Sequence, residues 1–521
     1  MKQTTPAQPG TTERPRFPFS LPGVLLIVAL YALTHATTRL LASGNLGEDD
    51  TLDNLLIQTL APGYSAHVGP LYDWALWLLQ RVLGSGIQAF LLLKYSLLVS
   101  IAGLIFLITR RITGSPLWAF IAVESMATVY QIFWRFHEGF THRVGAMALT
   151  VATVWAILRL LERGSWRNYL LFAVLAGLGL LSEHTYAFFL LALLLAASLQ
   201  SGVRRQLFSW PLLAALPVTL LIISPYLLWL LADPQRTASL FADYYPLTPV
   251  HTLAGFWSSL RDATSFPFLV LSPYIVITPL VFPAIFKAIF RQTPLRPTPS
   301  QPHDFRLLLT HLLLILFGGL LVSGLLYSRA NFPVHSILPL FVIAIVWITD
   351  RARATQPSAR RIKVFMSVLL AFTATAYAVR CGNLFVYEPF CSRCRWGVPY
   401  NELAGELRGL GFKQGSLITN DERIGGNLRR YFPDTHISAP NDGLPPFSPP
   451  ATGQLAIVWQ LADDNAEIPA NLQALATDSG VATPPIVIDT PWQHLWKAPG
   501  YRHSKWAAII VGTPTRVPGK D

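Results

Sequence analysis

Leu21-Pro22-Gly23-Val24-Leu25-Leu26-Ile27-Val28-Ala29-Leu30 opens an apolar run that reaches Leu41, and Gly47-Glu48-Asp49-Asp50 follows a few residues later. The run meets the roughly 20-residue length that crosses the hydrocarbon of a bilayer. Three consecutive carboxylates just beyond it are costly so close to lipid, so they need a task. A span followed at once by clustered acid therefore reads as a membrane helix delivering chemistry to the membrane surface.

Apolar runs recur at 86–109, 116–133, 144–161, 168–182, 184–200, 209–231, 266–286, 307–327, 334–349 and 363–381, which makes eleven with the first. Hydrophobic residues are 52% of the chain and charged ones 13%. A soluble domain carries about 25% charged residues, so lipid must solvate most of this chain. The expected fold is an α-helical polytopic membrane protein of about 11 spans. The first run lacks a small-residue cleavage site and reads as a retained span rather than a signal peptide.

The net charge of +12 invites a nucleic-acid reading, but the cations occupy short loops and form no basic stripe. Lys2, Arg14 and Arg16 precede the first span. Alternate loops then hold Arg110 and Arg111; Arg159, Arg163 and Arg167; Arg204 and Arg205; Lys287, Arg291, Arg296 and Arg306; and Arg351, Arg353, Arg360, Arg361 and Lys363. The opposite loops have only scattered Arg81, Arg135, Arg143, Arg236, Arg261 and Arg329. By the positive-inside rule the N-terminal tail 1–20 is cytoplasmic. The division expected is a transmembrane domain over 21–381, with a catalytic first outer loop at 42–85, and an extracytoplasmic domain over 382–521. The localisation expected is a bacterial inner membrane.

Past residue 382 the pattern changes. Pro399–Leu410 reads as a helix stopped by Gly411, and Arg423–Tyr431 as another. Ser416–Thr419, Leu455–Gln460, Pro485–Ile488 and Ala507–Val511 read as strands, so a small α/β domain is expected. Cys381, Cys391 and Cys394 lie in one short stretch at its start. Either Cys391 with Cys394, or Cys381 with one of them, can pair in an oxidising compartment.

The first outer loop continues as Thr51-Leu52-Asp53-Asn54, then Gly63-Tyr64, then His67-Val68-Gly69-Pro70-Leu71-Tyr72-Asp73-Trp74. Arg81-Val82-Leu83-Gly84, Gly177-Leu178-Gly179-Leu180-Leu181-Ser182 and Ser224-Pro225-Tyr226-Leu227-Leu228-Trp229 follow in order. This ordered set resembles the family 39-type glycosyltransferases of the GT-C fold, the protein O-mannosyltransferases and bacterial lipid A aminoarabinose transferases. The likeness is strongest over 20–235 and does not reach the C-terminal domain. It implies an inverting transferase that takes a sugar from a polyprenyl-phosphate donor to an extracytoplasmic glycan, lipid or protein. It also implies an acidic general base in the first outer loop, which falls on Asp49 with Asp50 beside it. The chemistry agrees, because such a donor already has a good leaving group, and a partly desolvated carboxylate has the raised proton affinity of a base. An N-terminal helix cap is the competing reading for Glu48, Asp49 and Asp50.

Tyr64, His67, Tyr72, Arg135, Glu138, His142, Glu183 and Arg329 are the candidate substrate-binding residues. In Arg135-Phe136-His137-Glu138-Gly139-Phe140-Thr141-His142-Arg143, Glu138 and His142 stand four apart, one helical turn. The resemblance makes Glu138 a candidate ligand of a divalent metal ion, with His142 and His67 completing the set. Arg329 holds the place where the family often puts a cation for phosphate. Lys94, inside the second span, is read as snorkelling outward. Glu183-His184 replaces a lysine common in the family. A transporter or flippase is the rival class, but it calls for polar groups near the bilayer midplane and often an inverted repeat, and no repeat is evident here.

Overall fold

Ser20 starts the fold by accepting a hydrogen bond from Gly23 N, with a proline in the first turn, and so caps helix α1 (Leu21–Ala42). The chain is described here by a computed structural model that covers residues 17–239, 252–290, 302–326, 342–387, 391, 395–439, 453–461, 467–473, 484–493 and 502–512. After α1, Gly47 caps the short helix α2 (Glu48–Leu56), which places Glu48, Asp49 and Asp50 in its first turn. The carboxylates of Asp49 and Asp50 meet the positive end of the helix dipole there, so a capping role and a chemical one are compatible for them. Helix α3 (Leu71–Leu83) leads into α4 (Ile87–Thr113), which ends at Gly114 with φ 65° and with Arg110 and Arg111 in its last turn. That left-handed stop with terminal cations is the expected C-terminal grammar of a helix.

Five described helices are long and apolar enough to span a membrane: α1, α4, His142–Glu162, Trp210–Leu231 and the helix beginning at Ala359. The pair Thr185–Ser198 and Ser201–Leu207, bent by 117°, makes a sixth if taken as one span. Eleven uniform spans are therefore not what the described residues contain. Pro116–Met126 and Trp166–Leu180 are apolar but short. The run 266–286 is cut into Leu253–Leu271 and Tyr274–Val281 because Ser272 precedes Pro273 and takes an extended conformation. A residue before proline avoids the helical region, and the hydropathy of the run does not reveal this. The first half of the run 334–349 lies outside the described residues, which resume at 342 and carry a helix at Ala344–Ala354.

The C-terminal region holds a five-stranded sheet, with β1 (Gly415–Thr419), β2 (His436–Ser438), β3 (Gln454–Gln460), β4 (Ile486–Pro491) and β5 (His503–Val511) in the order β2-β1-β3-β5-β4. β1 pairs parallel with β2 and β3, and β5 pairs antiparallel with β3 and β4. Alternate residues of β3 feed two cores: Ala456 and Val458 face one, and Leu455, Ile457 and Trp459 the other. The first of these cores also takes Leu55 from α2. Thus the acidic helix belongs to the packing of the C-terminal sheet as well as to the bundle.

Candidate functional site

Two glycines let α2 lie where it does. A Cβ on Gly47 would stand 2.6 Å from the carbonyl oxygen of Glu138, and one on Gly426 would stand 2.7 Å from Thr51 Cα. The backbones therefore touch on both sides of the helix. Hydrogen bonds hold the far side. Asn54 Nδ2 donates to Gly426 O at 2.8 Å, and Arg429 donates to the carbonyls of Asn54 and Ile57. Gln58 exchanges two bonds with the backbone of Ile437, at 2.7 and 2.9 Å. Upstream, Leu46 N donates to Asn427 Oδ1 at 2.8 Å, and Asn45 Nδ2 to Val398 O at 2.8 Å.

Asp49 opens into a pocket of about 240 Å³. Its bundle side is made by Arg135 and Glu138, and its C-terminal side by Arg395, Trp396, Tyr400 and Arg423. Asp49 is reached by solvent, yet its surroundings displace enough water to raise its pKa above the ordinary carboxylate range, with the neighbouring Asp50 adding to the rise. Burial also raises the Glu138 carboxyl, partly offset by Arg135, whose Nη1 lies 3.7 Å from Glu138 Oε2. Asp50 sits behind this wall and is buried. Lys94 Nζ approaches Asp50 Oδ1 at 3.0 Å, and both side chains are about 5% exposed or less. Lys94 thus turns to Asp50 and does not snorkel to water.

A second, apolar cavity of about 500 Å³ is bounded by α1, α4, Pro116–Met126 and the helix Ala359–Gly382. Tyr31, on its wall, shares a hydrogen bond with His137 Nε2 at 2.9 Å, and Tyr95 shares one with His137 Nδ1 at 2.8 Å. Arg380 donates to His137 O at 3.2 Å, while its buried Nε has no hydrogen-bond partner. His137 precedes Glu138, so the pair Tyr31 and His137 links a wall residue of the apolar cavity to a wall residue of the Asp49 pocket.

The structure brings Asp49, Arg135 and Glu138 together at the pocket, and Asp50 just behind them. Tyr64 is elsewhere, closing its own loop by donating to Thr59 O at 2.9 Å and accepting from Ala61 N at 3.2 Å. His67 interacts with His184, next in sequence to Glu183, and neither His67 nor Glu183 lines the pocket. Arg329 lies outside the described residues. The ligand set Glu138, His142 and His67 is corrected: among the described residues, His142 groups with Asp53 and Asp73. The helical spacing of Glu138 and His142 does not apply, because residues 135–137 form a 3-10 turn and a new helix starts only at His142. Of the cysteines, Cys391 is disulfide-bonded and Cys381 is a free thiol.

Sequence reasoning missed Arg395, Trp396, Tyr400 and Arg423, about 350 residues along the chain from Asp49, and no local pattern announces them. Arg380 had a signal, a lone cation near the end of an apolar run.

A family model described as dolichyl-phosphate-mannose-protein mannosyltransferase matches residues 67–229. The chain is 25% identical over 483 residues to the lipopolysaccharide core galacturonosyltransferase RgtA of Rhizobium johnstonii, covering 88% of this chain and 91% of the relative. It is 23% identical over 478 residues to RgtB of the same organism, described in the same words, covering 90% and 94%. The solved structure of ArnT from Cupriavidus metallidurans bound to undecaprenyl phosphate superposes with a TM-score of 0.61 at 11% identity, over 93% of this chain and 98% of that one. At that identity the likeness establishes the shared fold.

Proposed function

We propose, from the premise that the chain is a membrane glycosyltransferase of the GT-C fold and of the ArnT and protein-mannosyltransferase type, that it moves a hexuronic acid from a polyprenyl-phosphate donor to an extracytoplasmic glycan. The acceptor class is the core saccharide of a lipopolysaccharide. The observation that carries the reading is the pocket itself, in which two solvent-reached carboxylates with raised proton affinity, Asp49 and Glu138, share the wall with three arginines, Arg135, Arg395 and Arg423. A uronate and a phosphate both accept paired N–H donors from guanidinium groups, and Arg135, Arg395 and Arg423 all line this one pocket.

In the mechanism, Asp49 accepts the proton of the acceptor hydroxyl as its oxygen attacks the anomeric carbon. The bond from that carbon to the phosphate oxygen breaks on the opposite face, and polyprenyl phosphate leaves with the electron pair. One displacement inverts the anomeric centre. Arg380, whose buried Nε has no hydrogen-bond partner beside His137, and Arg135, on the pocket wall, would balance the charge on the departing phosphate. The apolar cavity takes the first isoprene units. Asp50 serves through Lys94, holding the first turn of α2 in the membrane wall.

The pocket belongs on the outer side of the membrane, with the N-terminus inside. The loop cations support this orientation, as does the disulfide at Cys391, since disulfides persist outside the cytosol. The test is reconstitution in vesicles with undecaprenyl-phosphate galacturonate or its neutral hexose counterpart, and a truncated core glycan as acceptor. Strong preference for the uronate, lost in Arg395→Gln and Arg423→Gln, is expected. Equal use of both donors by the wild type would sink the substrate assignment.

A further inference from the structure

Behind Asp49, helices α2 and α3 and the helix His142–Glu162 converge on side chains that the transfer chemistry does not use. Asp53, Asp73 and His142 are 6%, 1% and 5% exposed. One potential ligand atom from each lies within 4.8 Å of the others. His142 Nε2 is 3.6 Å from Asp53 Oδ1 and 3.4 Å from Asp73 Oδ1, beyond good hydrogen-bond length. Asp53 Oδ2, Asp73 Oδ1 and both ring nitrogens of His142 are buried without a hydrogen-bond partner. So is the hydroxyl of Tyr72, whose ring lies 5.2 Å from the imidazole. Interiors leave few buried polar atoms unsatisfied, and this many at one point need an explanation.

The spacing suggests one. A tetrahedral cation with bonds of about 2.0 Å to nitrogen and oxygen holds its donors roughly 3.3 Å apart. Both histidine–aspartate distances are close to that value, whereas groups hydrogen-bonded to one another would approach more closely.

We propose that Asp53, Asp73 and His142 form a buried site for a divalent transition-metal ion, which ties α2 to α3 and to the bundle. Two carboxylates balance a dication, and the imidazole favours zinc, with manganese suiting the two carboxylates, over the all-oxygen preferences of magnesium and calcium. The ion is structural in role, one helical turn behind Asp49 and Asp50, and fixes the helix that carries them.

The experiment uses the full chain without a polyhistidine tag, purified in detergent and assayed by elemental analysis after a brief chelator wash. About one zinc or manganese ion per chain is expected, reduced at least tenfold in Asp73→Asn and His142→Gln. Prolonged chelation should lower the melting temperature of the wild type, and added zinc or manganese should restore it. Cobalt, added to the stripped wild type, should give the visible absorption of a four-coordinate N/O site. The cobalt and melting measurements on the wild type decide the matter even if the variants misfold. A wild-type protein that holds no more metal than Asp73→Asn, with a melting temperature indifferent to chelator and cation, overturns the site in favour of carboxylates sharing a proton.

Discussion

Asp49 and Asp50 are adjacent in the chain and opposite in circumstance, one reached by solvent and the other buried against Lys94, and the proposed mechanism gives them different tasks. Asp49 meets solvent in the pocket with its pKa raised by desolvation and by Asp50. A base must be deprotonated, and raising its pKa moves the acid limb of kcat/KM upward, so activity should fall with decreasing pH above the usual carboxylate range. Asp49→Asn should abolish that limb and lower kcat by about 10²- to 10⁴-fold, the usual contribution of general-base catalysis, with little change in melting temperature. Asp50→Asn has a different failure, since it strands Lys94 as an unpaired buried cation. Removing one partner of a buried pair costs about 3–5 kcal/mol. A lower melting temperature is expected, with recovery when Lys94→Met is added, because both charges are then gone. Thermal melts of the two single variants and the double variant check this. A double variant no more stable than Asp50→Asn would mean that Lys94 is satisfied elsewhere.

Helix α2 is the element on which the proposed chemistry turns, and it is gripped mainly from the C-terminal domain. Gly426→Ala would drive a methyl group into the backbone of Thr51. Overpacking of that kind costs about 1–3 kcal/mol. The expected outcome is a larger loss in kcat than in stability, because a shift of α2 moves Asp49 relative to Arg135. Retained kcat in a destabilised protein would show that the contact matters to folding alone. This grip also explains which elements were legible in sequence. The helix Ile87–Thr113 was readable because hydropathy, terminal arginines and Gly114 agree. The strands near 416, 455, 486 and 507 were readable from short apolar runs, while β2, three residues long, carries too little pattern. Asp49, Arg135 and Glu138 carried local signals, being acid or cation at the ends of apolar runs. Arg395 and Arg423 did not, because their meaning arises only when the sheet carries them back onto α2. Asp53 and Asp73 were visible as residues but not as partners, since His142 joins them only through the packing of three helices.

At the scale of the whole molecule, a polar knot of Tyr31, Tyr95, His137 and Arg380 links the walls of two cavities of opposite character, since Tyr31 lines the apolar one and Glu138, next to His137 in sequence, lines the other. That arrangement suits an amphipathic donor, with its sugar and phosphate on the arginine side and its hydrocarbon on the other. The energetic role of the apolar cavity is not hydrophobic burial, because an isoprenoid tail in a bilayer is already surrounded by hydrocarbon and gains little by the move. What the cavity supplies is packing and position, the terms that drive association inside membranes. Blocking it should therefore weaken donor binding modestly. Ala102, on the wall and 1% exposed, is the residue to enlarge. Ala102→Phe should raise the KM for an undecaprenyl-phosphate donor about tenfold, equivalent to about 1.4 kcal/mol, while the acid limb set by Asp49 stays in place. A donor with a single isoprene unit should lose less. Equal effects on both donors would show that the hydrocarbon enters elsewhere in the bundle.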